Sequence, residues 1–429
     1  MAQVKSFKAL RYTDTQNMKN LVTPPYDIIS DSEQENFYNV DENNVIRLEY
    51  GKIFDTDTPE NNRYIRAGET LKKWLHSGVL KNDTQNSFYI YEQQFDFKGT
   101  KKSFKGIFSR VKLEEFEKKV VLPHEETLSK AKNDRFNLME KTNCNFSPIY
   151  MMYMDNEKKI IDIVNSETQR NPDISFDFEN IKQNLWIMTD ESKIKEIEQL
   201  FMDKQLFIAD GHHRYETALN YRNKKREENP DFKGDEGFEY VMSFLVEMDD
   251  EGLCILPTHR MIKDLKSFNE ADVINKISEN FFVEKIQNLN IEKEIEADNK
   301  KVFGFYTGKD YFYKLTLKDE KKIEEFISDK SSSYRELDVS VLHSMILENI
   351  FGIDKENMAN QKNLVYTRDY NEAIEKVKSK EFQCSFVINS TKINQIKEVA
   401  LNNEKMPQKS TYFWPKLVTG IVMNDLCEK

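Results

Sequence analysis

The chain has 429 residues, which at roughly 100–200 residues per domain predicts two or three packed units. Its formal net charge of −11 disfavours broad binding to nucleic acid, because an acidic surface repels a phosphate backbone. Hydrophobic residues make up 38% of the sequence, and the low counts of Gly (13) and Pro (10) exclude collagen-like and disordered classes.

Membrane and disulfide classes are also disfavoured. No apolar run approaches the ~18 residues of a spanning helix, and Met1–Tyr12 (MAQVKSFKALRY) has no apolar signal core. The four cysteines stand far apart without a CxxC pair, a pattern typical of neither a zinc site nor a disulfide framework. We therefore expect a cytoplasmic monomer or homodimer with reduced thiols and with neither membrane nor nucleic acid as a partner.

The first half of the chain alternates predicted strands and helices. The hydrophobic pattern predicts strands at Val4–Tyr12, Phe88–Phe97, Phe104–Val111, Ser147–Met154, Leu185–Thr189, Leu206–Ala209 and Glu239–Glu247. It predicts helices at Asn62–Leu75, Glu191–Met202 and Arg214–Glu228. Val22–Ser30 should be extended, because Pro24 and Pro25 force the residues before them out of the α region. Glu239–Glu247 is expected to pair with Leu253–Pro257.

The second half begins after a polar stretch, Asn288–Lys301, which is typical of a linker or of a long surface connection. Strands are then predicted at Val302–Tyr306, Tyr311–Leu317, Asn363–Tyr366 and Cys384–Ile388. Helices are predicted at Leu337–Ile350, which is amphipathic, at Asp369–Lys378 and at Ile393–Leu401. The order predicts a mixed α/β protein. Its expected parts are an N-terminal α/β region over 1–265, an α+β region over 266–405, and a tail over 406–429 that packs back on the functional site.

Ile208–Ala218 (IADGHHRYETA) is the best candidate for that site. A strand is predicted to end just before Asp210 and a helix to begin near His213, and a helix N-terminus attracts anions through its dipole and its N–H groups. Gly211 permits a tight turn or close approach of a phosphate, and Arg214 can grip phosphate oxygens bidentately. The alternative is that Asp210 only caps the helix and that His212 and His213 are surface residues.

Two further segments combine His with a charged residue. In Val121–Arg135 (VLPHEETLSKAKNDR), His124, Glu125 and Glu126 could serve proton transfer or magnesium binding, or simply form the charged start of a helix. In Leu256–Arg260 (LPTHR), His259 and Arg260 follow a predicted strand and could contact a substrate or be structural.

The tail segment Met406–Gly420 (MPQKSTYFWPKLVTG) differs from its acidic surroundings. Its polar groups suited to phosphate are Lys409, Ser410, Thr411 and Lys416. The alternative is a terminal segment that only docks its aromatic rings on the body. Val22–Ser30 (VTPPYDIIS) is more typical of a rigid wall than of a reactive segment.

Familiar nucleotide and hydrolase motifs are absent from the sequence: there is no G-x-x-x-x-G-K-[ST], no G-x-G-x-x-G, no protein-kinase signature and no G-x-S-x-G. The ordered segments FKALRY, VTPPYDIIS, NVIRLEY, VLPHEET, IADGHHRYETAL, LPTHR, LDVSVLH and MPQKSTYFWPKLVTG nevertheless resemble a prokaryotic family labelled a domain of unknown function, DUF1015. That resemblance runs over nearly the whole chain but implies no activity.

A second resemblance concerns only Asp210–Arg214 (DGHHR), which is similar to the phosphate-binding motif of the ParB/sulfiredoxin superfamily, a group that includes a free L-serine kinase. It implies a ParB/sulfiredoxin-like core with large additions. It also implies a kinase of a small hydroxyl compound, for which L-serine is one acceptor and ATP, ADP or pyrophosphate the donor, with Mg²⁺. The alternative is a ParB-like nucleotide-binding regulator or a nucleotide hydrolase without an acceptor.

On this hypothesis the candidate residues fall into four groups. The catalytic residues are Asp210, Glu126 and His213. The donor-binding residues are Gly211, His212, Arg214, Lys409, Ser410, Thr411 and Lys416. The substrate-binding residues are His124, His259 and Arg260, and the magnesium ligands are Asp210 and Glu125.

Overall fold

A computed structural model describes residues 1–125, 129–287, 290–298 and 300–427, with only the backbone of residues 129–131. Its strands are β1 Val4–Lys5, β2 Leu10–Tyr12, β3 Leu80–Asn82, β4 Phe88–Phe97, β5 Thr100–Lys112, β6 Val121–Leu122, β7 Cys144–Asn145, β8 Ile149–Tyr153, β9 Ile174–Phe178, β10 Ile181–Met188, β11 Leu206–Asp210, β12 Tyr240–Glu247, β13 Cys254–Ile255, β14 His259–Ile262, β15 Phe281–Ile286, β16 Val302–Tyr306, β17 Phe312–Leu317, β18 Leu364–Thr367, β19 Cys384–Val387, β20 Phe413–Trp414 and β21 Asn424–Asp425.

The helices are α1 Met18–Leu21, α2 Asp31–Val40, α3 Ile46–Glu49, α4 Arg63–Ser77, α5 Ser129–Thr142, α6 Lys159–Glu167, α7 Glu191–Phe201, α8 His212–Glu228, α9 Glu270–Asn280, α10 Ile291–Glu296, α11 Ile323–Phe326, α12 Ser332–Arg335, α13 Asp338–Val341, α14 Lys355–Asn360, α15 Tyr370–Lys378 and α16 Ile393–Leu401. A π-helix spans Leu342–Glu348, and short 3₁₀ turns occupy Tyr26–Ile28, Phe116–Lys118, Gly237–Glu239 and Glu320–Lys322. None of these helices is both long and apolar enough to cross a bilayer.

The chain forms two compact units. The first comprises Met1–Pro123, Leu128–Leu253 and Pro415–Lys429, and the second comprises His124–Thr127 and Cys254–Trp414. The first unit therefore gives way to the second after Leu253, whereas the sequence pattern predicts a boundary at residue 265. The predicted tail is divided between the two units, because the second unit ends at Trp414 and the first resumes at Pro415.

The first unit is built on a nine-stranded mixed sheet in the order β6-β11-β8-β12-β5-β4-β10-β9, with β1 added against β5. Its β11 runs antiparallel to β8, and β8 runs parallel to β12. One face is covered by helices α6, α7 and α8, whose buried side chains join the strand residues in one apolar cluster that includes Ile160, Ile197 and Tyr215. This layering fixes the carboxyl end of β11 and the start of α8, where the candidate site lies.

The other face of this sheet is aromatic around Phe244, which is fully buried. Its ring centroid lies 5.0 Å from that of Phe108, 5.6 Å from Tyr91 and 5.7 Å from Tyr150. Gly106 makes room for this ring, because a Cβ at that position would stand 2.5 Å from Cζ of Phe244. Strand alternation explains the two different faces, since neighbouring residues point to opposite sides.

The second unit contains a six-stranded sheet in the order β15-β17-β16-β19-β14-β18. One of its faces packs on α10 and α15 through a cluster that includes Ile291, Ile374 and Met261. The mixed α/β class expected from the sequence is thus confirmed, with a large mixed sheet and many helices.

Four local predictions are wrong, each for a physical reason. Val22–Ser30 is not wholly extended, because Tyr26–Ile28 closes a 3₁₀ turn directly after the proline pair. Cys254–Ile255 pairs with Phe413–Trp414 rather than with the strand before it, so a long-range partner replaces the local one. The predicted helix Leu337–Ile350 divides into an α-helical turn and a π-helix. The expected linker contains α10, whose Ile291 and Ile295 are buried.

We expect Phe244→Ala to lower the free energy of unfolding of the first unit by about 3–5 kcal/mol, because it leaves a cavity among the aromatic rings. Urea denaturation followed by tyrosine and tryptophan fluorescence measures this loss. The control is Phe54→Ala, the same change at a ring that is 48% exposed. A loss below about 1 kcal/mol for Phe244→Ala would show that the aromatic face is not a close-packed core.

Candidate functional site

The candidate site in the first unit is the turn between β11 and α8. The strand ends at Asp210, and the 17-residue helix α8 begins at His212, whereas the sequence predicts a start at His213 or Arg214. Gly211 stands at the N-cap with a φ of 94°, in the left-handed region. The positive φ favours glycine, and a Cβ there would lie 3.1 Å from the guanidinium of Arg214, so a side chain would crowd that group.

Asp210 anchors this turn with both carboxylate oxygens. Oδ1 accepts a hydrogen bond from the Gly211 N–H at 2.8 Å, and Oδ2 accepts one from Nζ of Lys416 at 2.7 Å. Lys416 belongs to the tail, so the tail does reach the turn at this residue. The N-cap position itself is taken by Gly211, which leaves Asp210 as a bridge between strand, turn and tail.

The pKa of Asp210 reports the surrounding positive charge. Burial alone would raise this pKa, but Lys416, Arg214 and His212 outweigh burial and lower it far below the ordinary value. A carboxylate held ionised in this way accepts a proton poorly near neutral pH. Asp210, a predicted catalytic residue, is therefore better suited to fixing Lys416 and Gly211 than to acting as a base.

Arg214 lies along the same turn. Its NH1 donates to the Pro148 carbonyl at 2.5 Å, and its NH2 stands 3.9 Å from Oδ2 of Asp210. The Arg214 and Lys416 side chains are 13% and 12% exposed. His212 is buried and His213 is half-buried at the start of the helix. Two cations thus flank one carboxylate beside a helix N-terminus, an arrangement that favours an additional anion.

A buried ionic network lies next to Arg214 in the first unit. Arg135 pairs with Glu49 at 3.3 Å and with Asp134 at 2.6 Å, and Asp134 also binds Arg63. Arg214 and the Arg135–Glu49 pair line one small cavity of about 30 Å³. That volume can hold one or two water molecules, which are typical of polar interiors.

The sequence did not single out Glu49 or Arg63, because a charged residue next to apolar ones, such as Glu49 in NVIRLEY, does not reveal its partner. Burial raises the pKa of Glu49, while Arg135, Ser147 and Arg214 oppose that rise. Tyr26, from the segment predicted to form a rigid wall, places its ring 3.9 Å from the Arg135 guanidinium carbon. The VTPPYDIIS segment therefore contacts this network through the ring of Tyr26.

The second unit holds the other predicted site residues. Nε2 of His124 lies 2.9 Å from Oγ1 of Thr411, and Oε1 of Glu125 accepts from the Lys409 N–H at 2.7 Å. The Ser410 hydroxyl donates to the Pro407 carbonyl. The segment around Glu125 and the loop 406–411 therefore form one constellation, whereas Glu126 lies outside the described residues.

His259 and Arg260 are adjacent on β14, so their side chains point to opposite faces of the sheet. Arg260 is buried and its NH2 donates to the Lys409 carbonyl at 3.2 Å, which places it in the constellation of Glu125. His259 packs instead beside Tyr370, and burial lowers its pKa to about 4 with help from Arg260. The neutral imidazole accepts from the Ile388 N–H through Nδ1 at 3.4 Å.

Metal binding depends on oxygen ligands that point to one spot. Within the described ranges, no group of three or more His, Cys, Asp and Glu side chains meets at a common point. The two oxygens of Asp210 already accept from Gly211 and Lys416. Mg²⁺ at Asp210 and Glu125 stays a prediction, in which phosphate oxygens of a donor would supply further ligands.

We expect Asp210→Asn to lower stability by about 2 kcal/mol at pH 6–7, because it removes a charge-assisted hydrogen bond. The pKa of Asp210 is lowered in the folded state, so its stabilisation is present above the unfolded pKa of about 3.9 and lost as pH falls below it. Thermal melts from pH 7 to pH 3 should show the gap between wild type and variant closing below about pH 4. Asp203→Asn is the control, since that carboxylate is 81% exposed. A gap that does not change with pH would contradict the ion pair.

No curated protein matches the sequence. A conserved hypothetical protein from Pyrococcus furiosus is 12% identical with a TM-score of 0.35, covering 74% of this chain and 94% of its own. A free serine kinase variant solved with AMP is 10% identical with a TM-score of 0.36, covering 72% and 87%. A truncated SbnI from Staphylococcus aureus is 9% identical with a TM-score of 0.37, covering 73% and 86%.

At these TM-scores the likeness to the three solved structures supports no conclusion about activity. The family comparison is more direct, because the model described as "Protein of unknown function (DUF1015)" matches residues 4–340. That range contains the β11–α8 turn, the segment around Glu125 and β14. The resemblance read from the ordered sequence segments is thereby confirmed: the chain belongs to the DUF1015 family.

Proposed function

We propose that the protein is a small-molecule phosphotransferase, which moves a phosphoryl group from ATP, ADP or pyrophosphate to a hydroxyl group. The observation that carries this proposal is the β11–α8 turn, where Lys416 and Arg214 flank Asp210 at the N-terminus of a long helix. Phosphoryl transfer depends mainly on positioning and on neutralising phosphate charge, and this turn offers both.

The donor phosphates would bind at the first turn of α8. Gly211 lets phosphate oxygens approach the backbone closely, because it has no side chain in the way. Arg214 and Lys416 are held in place by Pro148 and Asp210, so they lose little freedom when an anion arrives. His212 and His213 would donate further hydrogen bonds to the donor. Mg²⁺ bound to the donor would neutralise the phosphate oxygens that these side chains do not reach.

In the transfer itself, the acceptor oxygen forms a bond to the terminal phosphorus as the bridging P–O bond breaks. The leaving group keeps that electron pair and departs as ADP, AMP or phosphate, and the hydroxyl proton passes to a carboxylate. Asp210 is a poor candidate for that base because its pKa is lowered.

A screen of donors against acceptors tests the activity. L-serine is the first acceptor to try, because the DGHHR segment resembles a superfamily that includes a free L-serine kinase. We expect an O-phosphorylated product by mass spectrometry in the presence of Mg²⁺, and its loss in excess chelator because the donor phosphates need charge neutralisation. Phosphate release without any phosphorylated acceptor would replace the proposal by a nucleotide hydrolase. Donor binding without turnover would replace it by a nucleotide-binding regulator.

We expect Lys416→Met to raise the KM for the donor about 10–100-fold, because one charge-assisted hydrogen bond to phosphate contributes roughly 1.5–3 kcal/mol. Steady-state kinetics with the donor varied measures this change. Lys204→Met is a matched control: Lys204 is 14% exposed, pairs with Asp155 at 3.2 Å and precedes β11, whereas the turn follows that strand. An equal effect of both substitutions would mean that Lys416 acts through stability and not through the donor.

A further inference from the structure

A buried glutamine on β4 contacts the backbone of the tail within the first unit. Gln93 is fully buried, and its Nε2 donates to the Lys416 carbonyl oxygen at 3.2 Å. The same Nε2 donates at 3.0 Å to Oε1 of Gln183, the residue directly opposite on β10. Gln93 therefore links the nine-stranded sheet to the tail residue whose Nζ binds Asp210.

The tail around Lys416 has no secondary structure of its own. Residues 415–418 belong to no helix or strand, so their buried backbone groups need partners elsewhere in the molecule. Gln93 is the partner of the Lys416 carbonyl, and the backbone of Val418 forms a hydrogen bond with the Tyr91 hydroxyl. Side chains of β4 therefore set the course of the tail at both residues.

The amide of Gln93 is not explained by packing. Its Oε1 is buried and has no hydrogen-bond partner among the described residues. A buried polar atom without a partner destabilises the folded state, and an apolar side chain of similar shape would avoid that loss. The contacts of Nε2 with Gln183 and Lys416 are therefore what this amide contributes.

Gln183 keeps the Gln93 amide turned toward the tail. Oε1 of Gln183 accepts from Nε2 of Gln93 and from the Tyr91 hydroxyl, and Nε2 of Gln183 donates to the Ile181 carbonyl at 3.1 Å. The Tyr91 ring in turn packs against Phe244 in the aromatic face of the sheet, with centroids 5.6 Å apart. The donor to the tail is thus held by a close-packed part of the first unit.

Lys416 joins two strands that are not neighbours. Its carbonyl is bound at β4 and its Nζ at the end of β11, and β5, β12 and β8 lie between these strands in the sheet. A lysine ammonium stands on a long flexible stem, so its position depends on where the backbone of the same residue is fixed. The hydrogen bond from Gln93 fixes that backbone at the carbonyl.

We infer that Gln93 is a positioning residue for Lys416: its hydrogen bond to the Lys416 carbonyl fixes the backbone from which the lysine reaches Asp210 and the donor phosphate. This inference rests on the proposed function, in which Lys416 binds the donor. Gln93 itself touches neither donor nor acceptor in this role. Every residue that it involves belongs to the first unit.

Thermal melts at pH 7 test the link between Gln93 and Lys416 without any donor. The four proteins are the wild type, Gln93→Leu, Lys416→Met and the double variant. We expect Lys416→Met to lower the melting temperature of the wild type, and to lower that of Gln93→Leu by at most about half as much, because the lysine there no longer reaches Asp210. Equal drops in the two backgrounds, or no drop in either, overturn the inference.

Gln94→Leu is the matched control for these melts. Gln94 is the next residue on β4, points to the opposite face, is exposed and donates to Glu92 at 2.8 Å. In this background Lys416→Met should cause the full drop seen in the wild type. If Gln93→Leu does not fold, Gln183→Leu takes its place, because it removes the acceptor that orients the Gln93 amide, and the same outcomes decide.

Donor binding tests the role of Gln93 in the proposed function. Calorimetric titration with a non-hydrolysable ATP analogue and Mg²⁺ should show a Kd about 3–10-fold higher in Gln93→Leu than in the wild type, since a misplaced lysine loses part of one charge-assisted hydrogen bond. In the Lys416→Met background, Gln93→Leu should change Kd by less than about twofold, because the lysine is already missing. Gln94→Leu should leave Kd unchanged.

The outcomes separate the inference from the proposed function. An equal rise of Kd in both backgrounds would mean that Gln93 acts on the donor by a route other than Lys416, which overturns the inference. No binding of the analogue by the wild-type protein removes the proposed function, while the melts still decide whether Gln93 positions Lys416.

Discussion

The ion pair between Asp210 and Lys416 is the contact on which the site of the first unit depends. It joins the end of β11, the second strand from one edge of the sheet, to a tail residue 206 positions later in the chain. The same tail is held by backbone hydrogen bonds between Thr23 and Thr419 and by the side chain of Gln93, which donates to the Lys416 carbonyl at 3.2 Å. A cation is thereby fixed beside a helix N-terminus in a chain whose net charge is −11. The local charge at the turn, and not the net charge of the whole chain, decides which ligand the unit can hold.

The cations of this turn are placed before any ligand arrives. Arg214 is held by the Pro148 carbonyl, and behind it Arg135, Glu49 and Asp134 form a buried network whose charges are paired. Fixed donors in a partly buried site act more strongly on an anion than mobile surface lysines, since they need little reorganisation. The network also connects the segments VTPPYDIIS and NVIRLEY, because Tyr26 and Glu49 both contact Arg135.

Much of the fold could be predicted from local patterns, and the failures have a common origin. Strand Phe88–Phe97 and helix Ile393–Leu401 have the predicted bounds, because alternation and helical spacing are local signals. The turn at Gly211 was also predictable, since glycine between a strand and a helix is a local signal. The pairing of Cys254–Ile255 with Phe413–Trp414 was not, because strand partners distant in sequence leave no periodic trace. Neither was the π-helix, nor the burial of Arg260 and Glu49, because one charged residue in an apolar stretch does not identify its partner.

The most direct measurement of the central claim is a crystal structure of the protein with a non-hydrolysable ATP analogue and Mg²⁺. The account places the terminal phosphate oxygens within about 3.2 Å of the first N–H groups of α8 and of Nζ of Lys416, a normal hydrogen-bond distance. In that complex, Lys416 would be shared between Asp210 and the phosphate. Phosphates bound away from Gly211, or a turn still empty at saturating analogue, would contradict the account.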